Sequence, residues 1–407
     1  MRLRSLPTFY PILACLLAAC LMLSGCASAV PILTPEVTAP RPSPTPNPEQ
    51  RQTQEAWGAT PTSRPSPTPW PIASPTEPQA FMLASSVDLN PLTGLPAENP
   101  NLLQQRPVLV KLANWPRELR PAVGLNAADM VFEYYIGFQM NHFAALYYGG
   151  DAAVVGPLAP GRLLDARLAA HYQANFVYAS AEPTIEGVLK SVLPEREFSR
   201  GFLGCPAICT ETEAQGGNTV VNTAAVREHA ANLDQPDFTP ALGGLSFSEE
   251  ISDWDEVALR LSYLYADFSV MDWRYDPTSQ QYQLWQDAQT ADGSITLQQT
   301  FDRDSEEPVA FENVLILFAN YIEYESDLHD IDMREGDPNQ QAFLLRDGKL
   351  IFGTWGSSGP EQPFQFRDLN GQPLALKPGR SWVVFASTNT HTSQTTPGNW
   401  DLTFSVR

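Results

Sequence analysis

The chain has 407 residues, 43% of them hydrophobic, and its 25 Lys and Arg stand against 46 Asp and Glu for a formal net charge of −21. Phosphate backbones are held by clustered Lys and Arg, and no such cluster occurs, so nucleic acid is excluded as a partner. The same excess of negative charge disfavours anionic wall polymers and lipid head groups as primary ligands, and it keeps an exposed protein soluble.

Arg2 and Arg4 give a short positive start, an uncharged apolar run covers residues 9–23, and Leu23-Ser24-Gly25-Cys26 closes it with small residues before a cysteine. This is the layout of an export signal. Its end resembles the lipobox of bacterial lipoproteins, which implies that residues 1–26 are a lipoprotein signal peptide and that Cys26 carries the lipid. Leu17-Ala18-Ala19-Cys20 is a second lipobox-like stretch, Ala27-Ser28-Ala29 would suit release without lipid, and an uncut segment would span the membrane. All of these place the folded part outside the cytoplasm. The expected location is the extracytoplasmic face of the cell membrane, with the lipid anchor as the membrane contact.

Residues 27–80 are dominated by Pro, Ser and Thr, as in Arg41-Pro42-Ser43-Pro44-Thr45-Pro46 and Arg64-Pro65-Ser66-Pro67-Thr68-Pro69. Too little apolar surface is available here to offset the entropy of ordering, so a disordered stalk is expected. At about 3.1 Å per residue, a polyproline conformation would hold the folded part upward of roughly 100 Å from the membrane at its limit. A leader with no spacing role fits the composition equally well. Of the cysteines, Cys205 and Cys209 remain for the folded part. In an oxidising compartment such a pair is most simply a disulfide, with a zinc site or a redox pair as rivals that lack the further ligands or the C-x-x-C spacing.

The roughly 325 residues that follow the stalk are enough for two domains, with the division expected near residue 250. Residues 81–250 alternate strand-like and helix-like runs. Strands are expected at 108–112, 130–136, 142–148 and 175–181, and helices at 162–172, 185–193 and 223–233, the last with Asn222 as N-cap. Residues 251–407 change to short apolar runs separated by turn residues. Asp347-Gly348 between Phe343-Leu344-Leu345 and Leu350-Ile351-Phe352 predicts a two-residue hairpin with Leu345 facing Leu350 and Phe343 facing Phe352. Asn370-Gly371 predicts a second turn. The expected class is α+β: a mixed α/β N-terminal domain with helices packed on a sheet, then a mostly antiparallel β domain.

Arg106-Pro107, Asn114, Arg120-Pro121, Gly124-Leu125, Ala128-Asp129, Val131, Glu133, Gly156-Pro157 and Arg162 occur in the order and approximate spacing of the first domain of the YerB-like lipoproteins. Tyr275-Asp276, Asn313-Val314, Asp347-Gly348-Lys349, Gly353-Thr354-Trp355, Asp368 with Gly371, and Gly379 before Trp382 continue the series. The chain thus resembles that family over residues 88–390. The resemblance implies an extracytoplasmic bacterial lipoprotein with paired domains and no assigned biochemical role. It departs from the family pattern at His142, where relatives carry Arg, at Ala159-Pro160-Gly161-Arg162-Leu163, where they read Arg-Ser-Ala-Arg-Pro, and near Tyr178 and Asn218-Thr219, where they carry histidines.

Asp129 and Glu133 are the candidates for acid–base chemistry, because residues four apart share a side on either a strand or a helix. With Arg162 and His142 nearby they could act on a glycan or peptide of the envelope as a hydrolase. The structural alternative has Asp129 pinning a turn and Glu133 pairing with Arg162. Asn114, Arg120, His142 and Arg162 are the candidate binding residues for an envelope glycan, peptide or protein. Glu325, Asp327, Asp330, Asp332, Glu335 and Asp337 crowd one loop without the spacing of a calcium loop. No metal or cofactor is expected. Binding or scaffolding is the expected role, and the five tryptophans at 254, 273, 285, 355 and 382 fit a core better than a sugar groove.

Overall fold

The computed structural model describes residues 88–212, 217–233, 239–251 and 254–406. The expected signal peptide, the lipidation site at Cys26 and the stalk at 27–80 lie outside the described residues. The described residues lie in a single compact unit.

The N-terminal half supplies β1 (Val108–Ala113), β2 (Met130–Gly137), β3 (Met140–Tyr147), α1 (Leu163–His171), β4 (Asn175–Tyr178), α2 (Pro183–Val192), β5 (Glu197–Ser199) and α3 (Thr223–Ala231). Every residue of β1 is buried, as expected of a strand covered on both faces. The Asp165 carboxylate accepts the Arg162 backbone N–H at the start of α1 (2.7 Å), and Asn222 Oδ1 accepts from Ala225 N–H at the start of α3 (3.0 Å). The C-terminal half supplies β6 (Arg260–Ala266), β7 (Ser269–Asp276), β8 (Gln281–Gln289), β9 (Ile295–Gln299), β10 (Asn313–Glu325), β11 (Leu328–Asp332), β12 (Gln340–Arg346), β13 (Lys349–Gly356), β14 (Gln365–Asp368), β15 (Ser381–Ser387), β16 (His391–Thr396) and β17 (Asn399–Thr403). The described chain is mostly strand, with three α-helices.

One sheet runs β14-β13-β12-β10-β15-β2-β3-β1-β4-β5, drawing strands from both halves. Its two parts join where β2 pairs in parallel with β15, Met130–Glu133 lying against Ser381–Val384. The division expected near residue 250 therefore marks a change of composition along the chain, and the sheet runs across it. A second sheet runs β9-β8-β7-β6-β17-β16. It packs on one face of the first, where the Trp382 ring lies 5.0 Å from Trp273, 4.9 Å from Phe143 and 5.3 Å from Phe311. Helix α1 covers the opposite face, with Tyr172 just beyond its end 5.2 Å from Phe132.

The β12–β13 hairpin has the expected register, Leu345 opposite Leu350 and Phe343 opposite Phe352. Asp347 and Gly348 both take positive φ, at 53° and 71°. The Asn370-Gly371 turn is present, with Gly371 N–H donating to the Asp368 carbonyl. Trp273, Trp355 and Trp382 are core residues, while Trp254 is exposed and Trp285 half-buried. Cys205 and Cys209 form a disulfide with their Cα atoms 4.8 Å apart.

Candidate functional site

Alternation along β2 puts Val131, Glu133 and Tyr135 on the face toward the second sheet and Phe132 and Tyr134 on the face toward α1. The β2–β3 and β1–β3 registers carry the same division to β1 and β3: Asn141 and Phe143 lie with Glu133, while His142 and Lys111 lie with Tyr134. The candidate residues are thereby sorted onto two sides of a sheet.

Glu133 is fully buried. Its carboxylate accepts from Trp382 Nε1 (2.7 Å), Asn141 Nδ2 (2.8 Å) and the Tyr265 hydroxyl (3.0 Å). Burial pushes its pKa up to about 7, against the lowering effect of those donors. Asp129 stands just before β2 and pins the β3 exit: it accepts from Tyr148 N–H (2.5 Å), Gly149 N–H (3.1 Å) and Asn90 Nδ2 (2.7 Å). Burial pushes it up to about 6.

Four residues of extended strand separate Asp129 from Glu133 by roughly 13 Å. The expected acid–base pair is therefore not formed, since sharing a face does not bring two strand residues together. Arg162 pairs with neither. It sits at the start of α1, on the helix side, where its guanidinium donates to the Asp327 carbonyl at 2.9 Å. His142 faces the same side, with Nε2 3.3 Å from the Trp115 carbonyl, and burial drives its pKa well below 6.5, so it is neutral. The grouping of Asp129, Glu133, His142 and Arg162 into one site does not occur.

Asn114 and Arg120 do come together. Asn114 Nδ2 donates to Asn141 Oδ1 (2.8 Å), Gln286 Nε2 donates to Asn114 Oδ1 (2.8 Å), and Thr300 Oγ1 donates to Gln286 Oε1 (3.2 Å). Every donor in this chain points toward Glu133, an alignment that favours its carboxylate form. At its far end the chain reaches a cavity of about 710 Å³ lined by Arg117, Arg120, Gln286, Asp287, Gln299 and Thr300. Arg120 Nε donates to the Asn114 carbonyl (2.8 Å) and Nη1 to the Asp287 carbonyl (2.7 Å). The Asp287 carboxylate accepts from Arg117 Nε (2.5 Å) and Val270 N–H (2.9 Å) and lies 3.4 Å from Arg120 Nη1. Both guanidinium groups lie over the Trp115 ring, 4.3 Å away for Arg117 and 5.1 Å for Arg120. Sequence reasoning missed Gln286 and Asp287, whose strand offers no local signal beyond ordinary alternation.

Residues 92–233 match the N-terminal domain, and residues 259–383 the C-terminal domain, of a protein family of unknown function (DUF3048). The chain belongs to the DUF3048 family. It is 25% identical over 299 residues to the putative lipoprotein YerB of Bacillus subtilis (strain 168), a match covering 72% of this chain and 84% of that protein. The crystal structure of the Bacillus subtilis YerB protein superposes with a TM-score of 0.59 at 22% identity, over 73% of this chain and 96% of that one, so the fold is shared.

Within the DUF3048 frame the cavity is a joint product. The N-terminal domain contributes Arg117 and Arg120, and the C-terminal domain contributes Gln286, Asp287, Gln299 and Thr300. The hydrogen bonds around Glu133 likewise cross between the domains, from Trp382 and Tyr265 to Glu133 and from Gln286 to Asn114. Such an arrangement can bind a polar ligand. Glu133 itself is enclosed and does not line the cavity.

Proposed function

We propose that this DUF3048 chain is a lipid-anchored extracytoplasmic binding module whose ligand is a component of the cell envelope, taken up in the cavity between the two family domains. The observation that carries the reading is the wall of that cavity: two guanidinium groups are fixed by one carboxylate and one indole face, beside a row of amide and hydroxyl side chains, in a space of ligand size. Polar groups held in place before a ligand arrives lower the ordering cost of binding. The alternative, an envelope hydrolase using Asp129 and Glu133, loses its support from the separation of the two carboxylates.

The reading is tested by titrating purified envelope saccharide and peptide fragments into the full chain and following Trp fluorescence. Arg117→Ala and Gln299→Ala, which alter the wall, are expected to weaken binding at least about tenfold, the effect of roughly 1.4 kcal/mol, while the unfolding midpoint stays close to wild type. Equal binding by wild type and both variants, or no binding by any fragment, would reject it. The anchor is tested separately. Cys26→Ser is expected to abolish incorporation of labelled palmitate and to release the chain into the medium or the periplasmic fraction; undiminished labelling would transfer the lipid to Cys20.

A further inference from the structure

On the α1 side of the large sheet lies a charged group that the cavity does not use. Lys111 interrupts the apolar run of β1, and both it and Asp165 of α1 are completely buried, with Lys111 Nζ 3.6 Å from Asp165 Oδ1. The Tyr134 hydroxyl sits between them, accepting from Lys111 Nζ and donating to Asp165 Oδ1. The other carboxylate oxygen, Asp165 Oδ2, accepts the Arg162 backbone N–H at 2.7 Å. His142, adjacent to Tyr134 in register, is neutral and adds no competing charge.

We propose that Lys111 and Asp165 condense into an intramolecular side-chain amide that ties β1 to α1. Nζ stands 3.6 Å from Oδ1, a separation from which attack on the adjoining carboxyl carbon requires only a small approach. The proton on Lys111 passes through the Tyr134 hydroxyl to Asp165 Oδ1, giving a neutral amine and a neutral acid. The amine lone pair then attacks the carboxyl carbon. Negative charge develops on Oδ2, where the Arg162 N–H already points, as a backbone donor does in an oxyanion site. A second proton leaves nitrogen by the same hydroxyl for Oδ1, the C–Oδ1 bond breaks, and water departs. The three ammonium hydrogens end as one amide N–H and the two hydrogens of water, and no oxidant or co-reactant is consumed.

Burial supplies the driving force. Two charges held away from water carry a desolvation penalty that condensation removes, and burial lowers the Lys111 pKa to about 8 while raising that of Asp165, so proton transfer between them is eased. Effective concentrations of about 10⁵ to 10⁸ M for fixed partners also favour amide formation, which is unfavourable between separate molecules in water. A void of about 10 Å³ lined by Tyr134, Arg162 and Leu164 adjoins the group, about the size of one departing water. Because Oδ2 is retained, its bond to the first turn of α1 survives the reaction.

Peptide mapping of the full chain by mass spectrometry is the test. The expected result is a branched peptide joining the segments that hold Lys111 and Asp165, about 18 Da lighter than their sum, with Lys111 resistant to trypsin. Separate peptides of unmodified mass in the folded wild-type protein would overturn the proposal, and this measurement requires no variant to fold. Asp165→Ala must lack the branched peptide; its persistence would remove Asp165 from the bond. Tyr134→Phe is expected to retain the fold and lower the linked fraction at least tenfold, and an unchanged fraction would overturn the role of the hydroxyl.

Discussion

Glu133 carries the sharpest consequence at the scale of a single residue. Its ordinary pKa of 4.5 rises to about 7 in the folded chain. Between these values the folded state binds a proton that the unfolded state has lost, so stability falls as pH rises through that window and is lower above it by about 3 kcal/mol. Glu133→Gln removes this titration. In urea unfolding measured from pH 4.5 to 8, the variant is expected to lose about 3 kcal/mol less stability across the range than wild type; parallel curves would exclude Glu133 as the titrating group. Sequence placed Glu133 and Asn114 among the residues of interest and could not place them in one chain of hydrogen bonds, because Asn141 joins them only through the pairing of three strands and Gln286 and Trp382 reach them from distant segments. Lys111 was legible in another way. A charged residue inside Val108-Leu109-Val110-Lys111-Leu112 must find a buried partner, but only the packing of α1 on β1 identifies it as Asp165.

At the scale of elements, local chemistry was a good guide and pairing was not. The β12–β13 hairpin followed from Asp347-Gly348 because both turn positions require positive φ and the two-residue loop fixes the register on either side. A Cβ added at Gly348 would stand 2.9 Å from Tyr275 Cδ1 with φ at 71°, so Gly348→Ala is expected to cost roughly 1–2 kcal/mol. Chemical denaturation checks this, and an unchanged midpoint would mean that the turn relaxes into another type. Helices α1 and α3 were marked by leucine and alanine spacing and by Asn222 at the cap. The parallel pairing of β2 with β15 was invisible, since some 250 residues separate the strands and neither carries a turn signal toward the other. Asp129 and Glu133 show the same limit. Periodicity told which face they share and said nothing of the neighbours that would occupy it.

At the scale of the whole molecule, the two family domains share a sheet, a tryptophan-centred core and both ends of the Glu133 hydrogen-bond chain. Expressed alone, either half would expose an open strand edge at β2 or β15, each buried and apolar, and such edges invite aggregation. Separate production of residues 83–250 and 251–407 is expected to give insoluble material, with soluble protein recovered when the two are co-expressed; a monomeric, cooperatively unfolding single half would contradict this. A chain that lost either partner of the seam between β2 and β15 would keep half a fabric with a raw selvedge.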